Sequence, residues 1–400
     1  MQTRIFIILL LIIIFGACTE KQQSVQTPWG ETFGTDTTTS NIFSLREIQE
    51  SGELVILTIS GPDTYYEYRG KQMGTQYLLC EKFAQKIGVS LRIDVCKGIN
   101  EMIKKFKTGD ADIIVYQIPT STKGIIPCGY STDNGKLSWA VRTGNTELAD
   151  SIKNWYKPEF IENIKREEKI ILTTQSIHRR VYAPMLNTQA GIISNYDYLF
   201  KRYAPIARWD WRLLAAQCYQ ESCFDPKAYS WAGAKGLMQI MPETASHLGL
   251  AECDVYEPEP NISAAVRYIN ELNTHFMDIR NPEERKFFIL ASYNGGAFHI
   301  RDAMALTKKN GKNPHKWIHV AEYVLKLNSP EYYNDPVVKH GYMRGNESVN
   351  YVSAIYSRWQ KYLGSRSSTL KTPNNEVPSI YEPHKANKKH RFRLKNVKDN

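Results

Sequence analysis

The chain has 400 residues, 42% of them hydrophobic and 12% aromatic, and a formal net charge of +10. That apolar content excludes a chain that stays unfolded for lack of core material, and the length allows two domains. The positive balance implies anionic surroundings. No nucleic-acid motif is present, so nucleic acid is not an expected partner, and a membrane face or a cell wall is preferred.

At the N-terminus Arg4 precedes an apolar run from Ile5 to Phe15. A bilayer span needs roughly 20 residues, so the run reads as a signal peptide over residues 1–17. Gly16 and Ala17 directly before Cys18 resemble a bacterial lipobox. The resemblance implies cleavage before Cys18 and lipidation at that residue. Thr19, standing where Asp tends to retain lipoproteins on the inner membrane, favours an outer-membrane lipoprotein facing the periplasm. Residues 18–43 are rich in Thr, Gln and Ser and read as a tether between lipid and first domain.

Six further cysteines follow: Cys80, Cys96, Cys128, Cys218, Cys223 and Cys253. Their even number outside the cytoplasm permits disulfides without specifying the pairing. On a helix Cys218 and Cys223 face different ways, which disfavours a bond between them, while Cys223 with Cys253 stays open. No CxxC or Cys/His spacing suits a metal, so no metal and no other cofactor is expected.

Residues 44–165 alternate strand and helix signals. Leu54–Ile59 is a β-branched run closed by Gly61-Pro62. Residues 77–87 have helical spacing and stop at Gly88. Residues 91–95 alternate as a strand, 100–107 are helical, 111–116 and 137–141 are strands, and 146–155 is a helix. The alternation predicts an α/β layer with parallel strands. Gly52-Glu53-Leu54, Gly109-Asp110-Ala111-Asp112 and Ala140–Asn145 are similar to segments of the family-3 periplasmic solute-binding fold. The complete fold inserts a second lobe before the returning strand, and the interval from Val115 to Trp139 has no room for one. The resemblance therefore implies a single truncated lobe, a scaffold or a contact surface for a cell-wall protein partner more than a solute sensor.

Residues 166–192 read as a linker, with Pro184 and His178-Arg179-Arg180 interrupting any long helix. From 193 to 363 the apolar spacing is helical throughout, as in Leu213-Leu214-Cys218 and Val352-Ile355-Trp359, so this domain is expected to be all-α. The overall expectation is an α+β two-domain protein, with a single N-terminal α/β lobe followed by an all-α domain. Residues 364–400 hold nine Lys and Arg against three Asp and Glu. They read as a solvated basic tail, with a weak electrostatic clamp on anionic wall or lipid as the alternative.

The chemistry centres on Glu221, in an apolar helical stretch that contains Leu213, Leu214, Ala215 and Ala216. Burial among apolar groups raises a carboxyl's pKa and keeps it protonated near neutral pH, as delivery of a proton to a glycosidic oxygen requires. Most glycosidases pair such an acid with a second carboxylate, for which Asp225 and Glu243 are the nearby candidates. Asp225 precedes a proline and reads as a turn residue, and Glu243 as first-turn helix charge.

Glu221-Ser222-x-Phe224-Asp225-Pro226, Gly233-x-x-Gly236-Leu237-Met238-Gln239, Ala291-x-Tyr293-Asn294-x-Gly296 and Tyr351-Val352 follow one another in the order and spacing of the soluble-lytic-transglycosylase domain. This stretch resembles that domain, of the goose-lysozyme-like superfamily. With the solute-binding-like segment upstream, the arrangement resembles the membrane-bound lytic murein transglycosylase F family. The resemblance implies a lysozyme-like fold and peptidoglycan as substrate. It makes Glu221 the single acid and base for cleavage between N-acetylmuramic acid and N-acetylglucosamine. The substrate's N-acetyl oxygen would stabilise the cation and its own 6-hydroxyl would attack, leaving a 1,6-anhydromuramoyl end. Ser230, Met238, Gln239, Tyr293, Asn294 and Tyr351 would form the substrate site. The rivals are a muramidase of the same fold, which adds water and would want a second carboxylate in the cleft, and a non-catalytic wall-binding lipoprotein.

Overall fold

The computed structural model describes residues 43–68, 70–172, 177–179 and 191–364, together with one short strand pair near the N-terminus. That pair, β1 (Val25–Gln26) and β2 (Thr32–Phe33), is antiparallel and belongs to a separate unit, Met1–Ile42. The signal peptide, Cys18, most of the tether and the basic tail from residue 365 lie outside the described residues.

The larger unit begins with α1 (Leu45–Ser51), capped by the Ser44 and Glu47 side chains acting reciprocally. There follow β3 (Glu53–Ile59), a hairpin of β4 (Tyr66–Tyr68) and β5 (Lys71–Met73), α2 (Thr75–Ile87), β6 (Ser90–Cys96) and α3 (Ile99–Thr108). Next come β7 (Ile113–Pro119), β8 (Ile125–Thr132), β9 (Leu137–Arg142), α4 (Thr146–Trp155) and α5 (Glu159–Ile171). The sheet order is β6-β3-β7-β9-β8.

Only β6, β3 and β7 are parallel; β9 runs antiparallel to β7, and β8 to β9. This corrects the expectation of a wholly parallel sheet. A parallel return needs a crossover of a dozen or more residues. Residues 133–136 form only a tight turn, with Asp133 and Asn134 in the left-handed region, so β9 folds straight back on β8. The interval too short for a second lobe thus holds one added strand. One face of the sheet packs Leu54, Ile56 and Val141 against Leu79 and Phe83 of α2. The other packs Leu57, Ile114 and Ala140 against Met102 and Phe106 of α3.

The lobe also runs past the expected boundary at residue 165. Helix α5 continues to Ile171 and buries Ile164 and Ile171 in the lobe core. Glu168, read from sequence as linker, is buried and caps α2, accepting from the Gly74 N–H at 3.1 Å and the Thr75 hydroxyl at 2.7 Å. Part of the expected linker is stitched to the next domain as well: β10 (Ile177–His178) pairs antiparallel with β11 (Tyr229–Ser230), a small exception to an all-α domain.

That domain is otherwise helical: α6 (Asp197–Tyr203), α7 (Trp211–Ser222), α8 (Pro242–His247), α9 (Pro258–Thr274), α10 (Pro282–Gly295), α11 (Ala297–Lys309), α12 (Trp317–Lys326), α13 (Pro330–Tyr333) and α14 (Gly345–Tyr362). Helix α7 is buried along nearly its whole length, from Leu213 to Ser222, and buries Gln217 and Glu221 along with its apolar residues. The lobe and the helical domain touch through the chain after β3: the Tyr342 N–H donates to Ser60 Oγ at 2.8 Å, and the Tyr342 ring stacks edge-on against Tyr66 at 5.2 Å. The six cysteines from Cys80 on are all free thiols, with Cys223 buried and Cys253 exposed, so no disulfide joins that pair.

His299, in α11, is buried, its Nδ1 has no hydrogen-bond partner, and burial with nearby His340 pushes its pKa down to about 4. An unfolded chain protonates the ring near pH 6.5. Between those values the unfolded form takes up the proton first, so stability is full above pH 6.5 and falls as the pH drops. Urea unfolding at pH 7 and pH 4 should show the native protein losing about 3 kcal/mol more than His299→Phe. Equal losses in the two proteins would refute this source of acid sensitivity.

Candidate active site

Glu221 is the penultimate residue of α7 and only 6% exposed. Its Oε1 accepts a 2.5 Å hydrogen bond from the hydroxyl of Tyr351, on α14. Gln217 stands four residues earlier, on the same face of α7, and its Nε2 donates to the same hydroxyl at 3.3 Å. The Tyr293 hydroxyl, on α10, donates to the carbonyl of Met238 at 2.9 Å. Burial first, then the Glu221 carboxylate, hold the Tyr293 and Tyr351 hydroxyls well above the ordinary tyrosine range. Both keep their protons, and Tyr351 therefore faces Glu221 as a donor.

The chain leaves α7 sharply, with Cys223 and Phe224 both in the left-handed region. It then forms a compact loop. Ser230 N–H donates to the Ala234 carbonyl and Ser230 Oγ accepts the Ala234 N–H, at 2.8 and 2.9 Å. Lys235 and Ile240 exchange two backbone bonds of 3.0 Å. Gly236 (φ +78°) allows the loop to lie directly on α9, since a Cβ there would collide with Asn261 Nδ2 and the Val255 carbonyl. Buried Asn261 organises the loop, donating to Val255 O at 2.8 Å and Lys235 O at 3.2 Å and accepting from Met238 N–H at 2.8 Å. Sequence reasoning missed it, because no motif marks a lone asparagine on the neighbouring helix.

A cleft of about 310 Å³ opens beside Glu221. Of the residues expected to meet substrate, Gln239, Tyr293 and Asn294 line it. Gln239 Nε2 is held by the Ala228 and Gly236 carbonyls at 3.1 and 3.0 Å, and Asn294 Oδ1 accepts from Ser348 Oγ at 2.9 Å. The other three sit elsewhere. Met238 has no exposed surface and is a core side chain, so the expectation of a side-chain contact with substrate is corrected. Ser230 is 7% exposed and engaged in its own loop. Tyr351 is buried behind Glu221 and acts on the cleft through that carboxyl.

The two carboxylates suggested by sequence are also absent from the cleft lining. Asp225 is buried and accepts the Lys227 N–H at 2.9 Å, as a turn residue does, and Glu243 lies exposed in the first turn of α8. The cleft is lined instead by Glu271 of α9, 3.2 Å from His247, and by Glu67 of the lobe's β4. Nothing local in the sequence could have placed Glu67 there. Among the described residues no group of three or more His, Cys, Asp or Glu is placed to hold a metal ion.

Residues 198–337 match the family model described as "Transglycosylase SLT domain". They form a transglycosylase SLT domain. The match takes in Glu221, the glycine loop and Tyr293-Asn294; Tyr351 lies just beyond it. Over most of its length the chain is similar to proteins named membrane-bound lytic murein transglycosylase F. That of Desulfosudis oleivorans is 27% identical, over 78% of this chain and 90% of the relative. That of Vibrio cholerae is 30% identical, over 68% of this chain and 52% of the relative. Among solved structures, the 70 kDa soluble lytic transglycosylase of Escherichia coli is 24% identical with a TM-score of 0.30, over 42% of this chain and 25% of that one. The arginine-bound form of domain 1 from TmArgBP is 23% identical with a TM-score of 0.23, over 30% of this chain and 97% of that one. The chain is thus a homologue of the lytic transglycosylases, with an α/β lobe ahead of its helical SLT domain.

The loop geometry predicts unequal costs for its two glycines. Gly236→Ala should destabilise the protein by at least about 2 kcal/mol, from left-handed strain plus the collision with Asn261. Gly233→Ala should cost less, since a Cβ there meets only Pro242, at 3.5 Å. Thermal unfolding followed by circular dichroism would rank them, and equal midpoints would contradict the packing described.

Proposed function

We propose that this protein is a peptidoglycan lytic transglycosylase in which Glu221 is the general acid and then the general base. The observation that carries this reading is one carboxyl, buried at a helix end, held by a protonated tyrosine and opening on a cleft. Glu221 protonates the oxygen leaving N-acetylmuramic acid as the C1–O bond breaks. The substrate's N-acetyl oxygen stabilises C1, its 6-hydroxyl then attacks C1, and Glu221 takes back the proton. No water is consumed, and the chain is cut to a 1,6-anhydro end. Tyr351 holds the carboxyl in place through both proton transfers. Gln239, Tyr293 and Asn294 face the sugar. Ser230 and Met238 act on substrate indirectly, by shaping the loop.

We further propose that residues 1–17 are removed and that lipid on Cys18 anchors the protein to the outer membrane, facing the periplasm. No helix among the described residues is long and apolar enough to cross a membrane. Residues 44–165 remain our proposed surface for any cell-wall protein partner. The hydrolytic alternative keeps one supporting observation, the presence of Glu67 and Glu271 in the cleft.

Mass spectrometry of purified peptidoglycan after digestion separates the readings. Ends lighter by one water than reducing ends, absent with Glu221→Gln, are expected. Reducing ends would make the enzyme a muramidase, and activity retained by Glu221→Gln would remove that residue from the mechanism. Tyr351→Phe, which loses the hydrogen bond to the Glu221 carboxyl, should lower kcat by about tenfold to a hundredfold without unfolding the protein. An unchanged kcat would mean that the tyrosine only fills space.

A further inference from the structure

In an open α/β sheet, ligands bind outside the carboxyl ends of the strands, where the strand order reverses. In this lobe that place lies between the ends of β3 and β7, because α2 and α3 leave on opposite faces of the sheet. The SLT domain's own chain is seated there. Tyr342 donates its N–H to Ser60 Oγ at 2.8 Å and is buried as part of the lobe's core cluster. Gly341 lies so close that a Cβ on it would collide with Ser60 Oγ, and Tyr333 packs beside Gly61 and against Tyr342 at 5.7 Å.

The same end of the sheet carries the β4–β5 hairpin. Alternation along β4 buries Tyr66 and Tyr68 and turns Glu67 outward. The hairpin is tied to the SLT domain along its length. Tyr66 meets Tyr342, the Arg344 guanidinium lies 5.8 Å from the Tyr68 ring, and Lys71 Nζ sits 4.0 Å above the Trp231 ring in the glycine loop. A Cβ on Gly70 would stand 3.8 Å from Met241. Glu67 and Gly70 line the cleft that holds Glu221.

We propose that the lobe is a fixed wall of the glycan cleft and not a solute receptor, and that Glu67 is a specificity-determining residue that accepts hydrogen bonds from sugar hydroxyls. This rests on the glycan-cleaving reading above. The crevice that would take a solute serves as the socket for residues 333–342, and the hairpin so fixed places an acceptor-only carboxylate where a strand rich in O–H donors must lie. Because Glu67 is exposed and outside the lobe core, its replacement should act on binding and leave the fold intact.

Two measurements on the full-length protein test this. Glu67→Ala should raise KM for soluble glycan strands about tenfold with kcat changed by less than about twofold, as expected for loss of a charge-assisted bond made equally in ground and transition states. Glu67→Gln, which keeps an acceptor, should fall between. An unchanged KM, or a loss confined to kcat, would overturn the assignment. Calorimetric titration with the common free L-amino acids should give no saturable heat; saturable binding, which needs Tyr342 displaced, would overturn the wall as well. Glu221→Gln run in parallel keeps the readings apart. If it is inactive while Glu67→Ala behaves as wild type, only the present inference fails, and if it stays active the glycan-cleaving mechanism fails first.

Discussion

The short hydrogen bond from Tyr351 to Glu221 joins residues 130 positions apart and sets the requirement that the rest of the helical domain meets. For the two groups to meet, α7 and α14 must pack side by side with α10 against them. Two glycines let α14 lie close to its other neighbours, α10 and α12. A Cβ on Gly295 would strike Met343 and Ser348, and one on Gly345 would strike the backbone at Val324. Ser348 in turn bonds Asn294 and fixes the end of α10 beside the acid. Close-packed helices leave little freedom for a side chain to drift, so the carboxyl is held where a proton must be delivered.

The loop after α7 answers the same requirement from the other side. It is irregular, yet its polar groups are satisfied by short-range backbone pairs and by one buried asparagine on α9. Residues in left-handed conformations, Cys223, Phe224 and Gln239, cluster around the site. Strain of this kind persists only where surrounding structure over-determines it. Helices thus define where Glu221 is, and the loop defines what stands opposite.

The electrostatics divide in the same way. The chain carries a net charge of +10, whereas Glu67, Glu221 and Glu271 line the cleft together with His275. Six of those ten charges come from residues 364–400, nine Lys and Arg less three Asp and Glu, and a positive balance suits approach to an anionic wall. The acidic character belongs to the cleft, where acceptors for sugar hydroxyls and one proton carrier are wanted. At Glu221 the Tyr351 hydroxyl is a neutral donor to the carboxyl, and Gln217 donates in turn to that hydroxyl.

Local pattern was enough to read much of this protein. Strand and helix periods located most lobe elements to within a few residues, and helix α4 matched at both ends, because period and capping residues act over a single turn. Three short motifs, each tied to a local turn or helix end, contain Glu221, Gln239, Tyr293 and Asn294, and all four residues line one cleft. What local pattern did not decide depends on contacts between distant segments. The direction of β8 and β9 followed from loop length and pairing partners. Whether Met238 points inward, whether Tyr351 reaches substrate or the acid, and which asparagine holds the loop were settled by packing. Glu67 entered the cleft through contacts between distant segments, among them Tyr342 with Ser60, 282 positions apart, and Lys71 with Trp231. Periodicity and chemistry are written residue by residue, but burial and juxtaposition belong to the folded chain as a whole, and those decided the site.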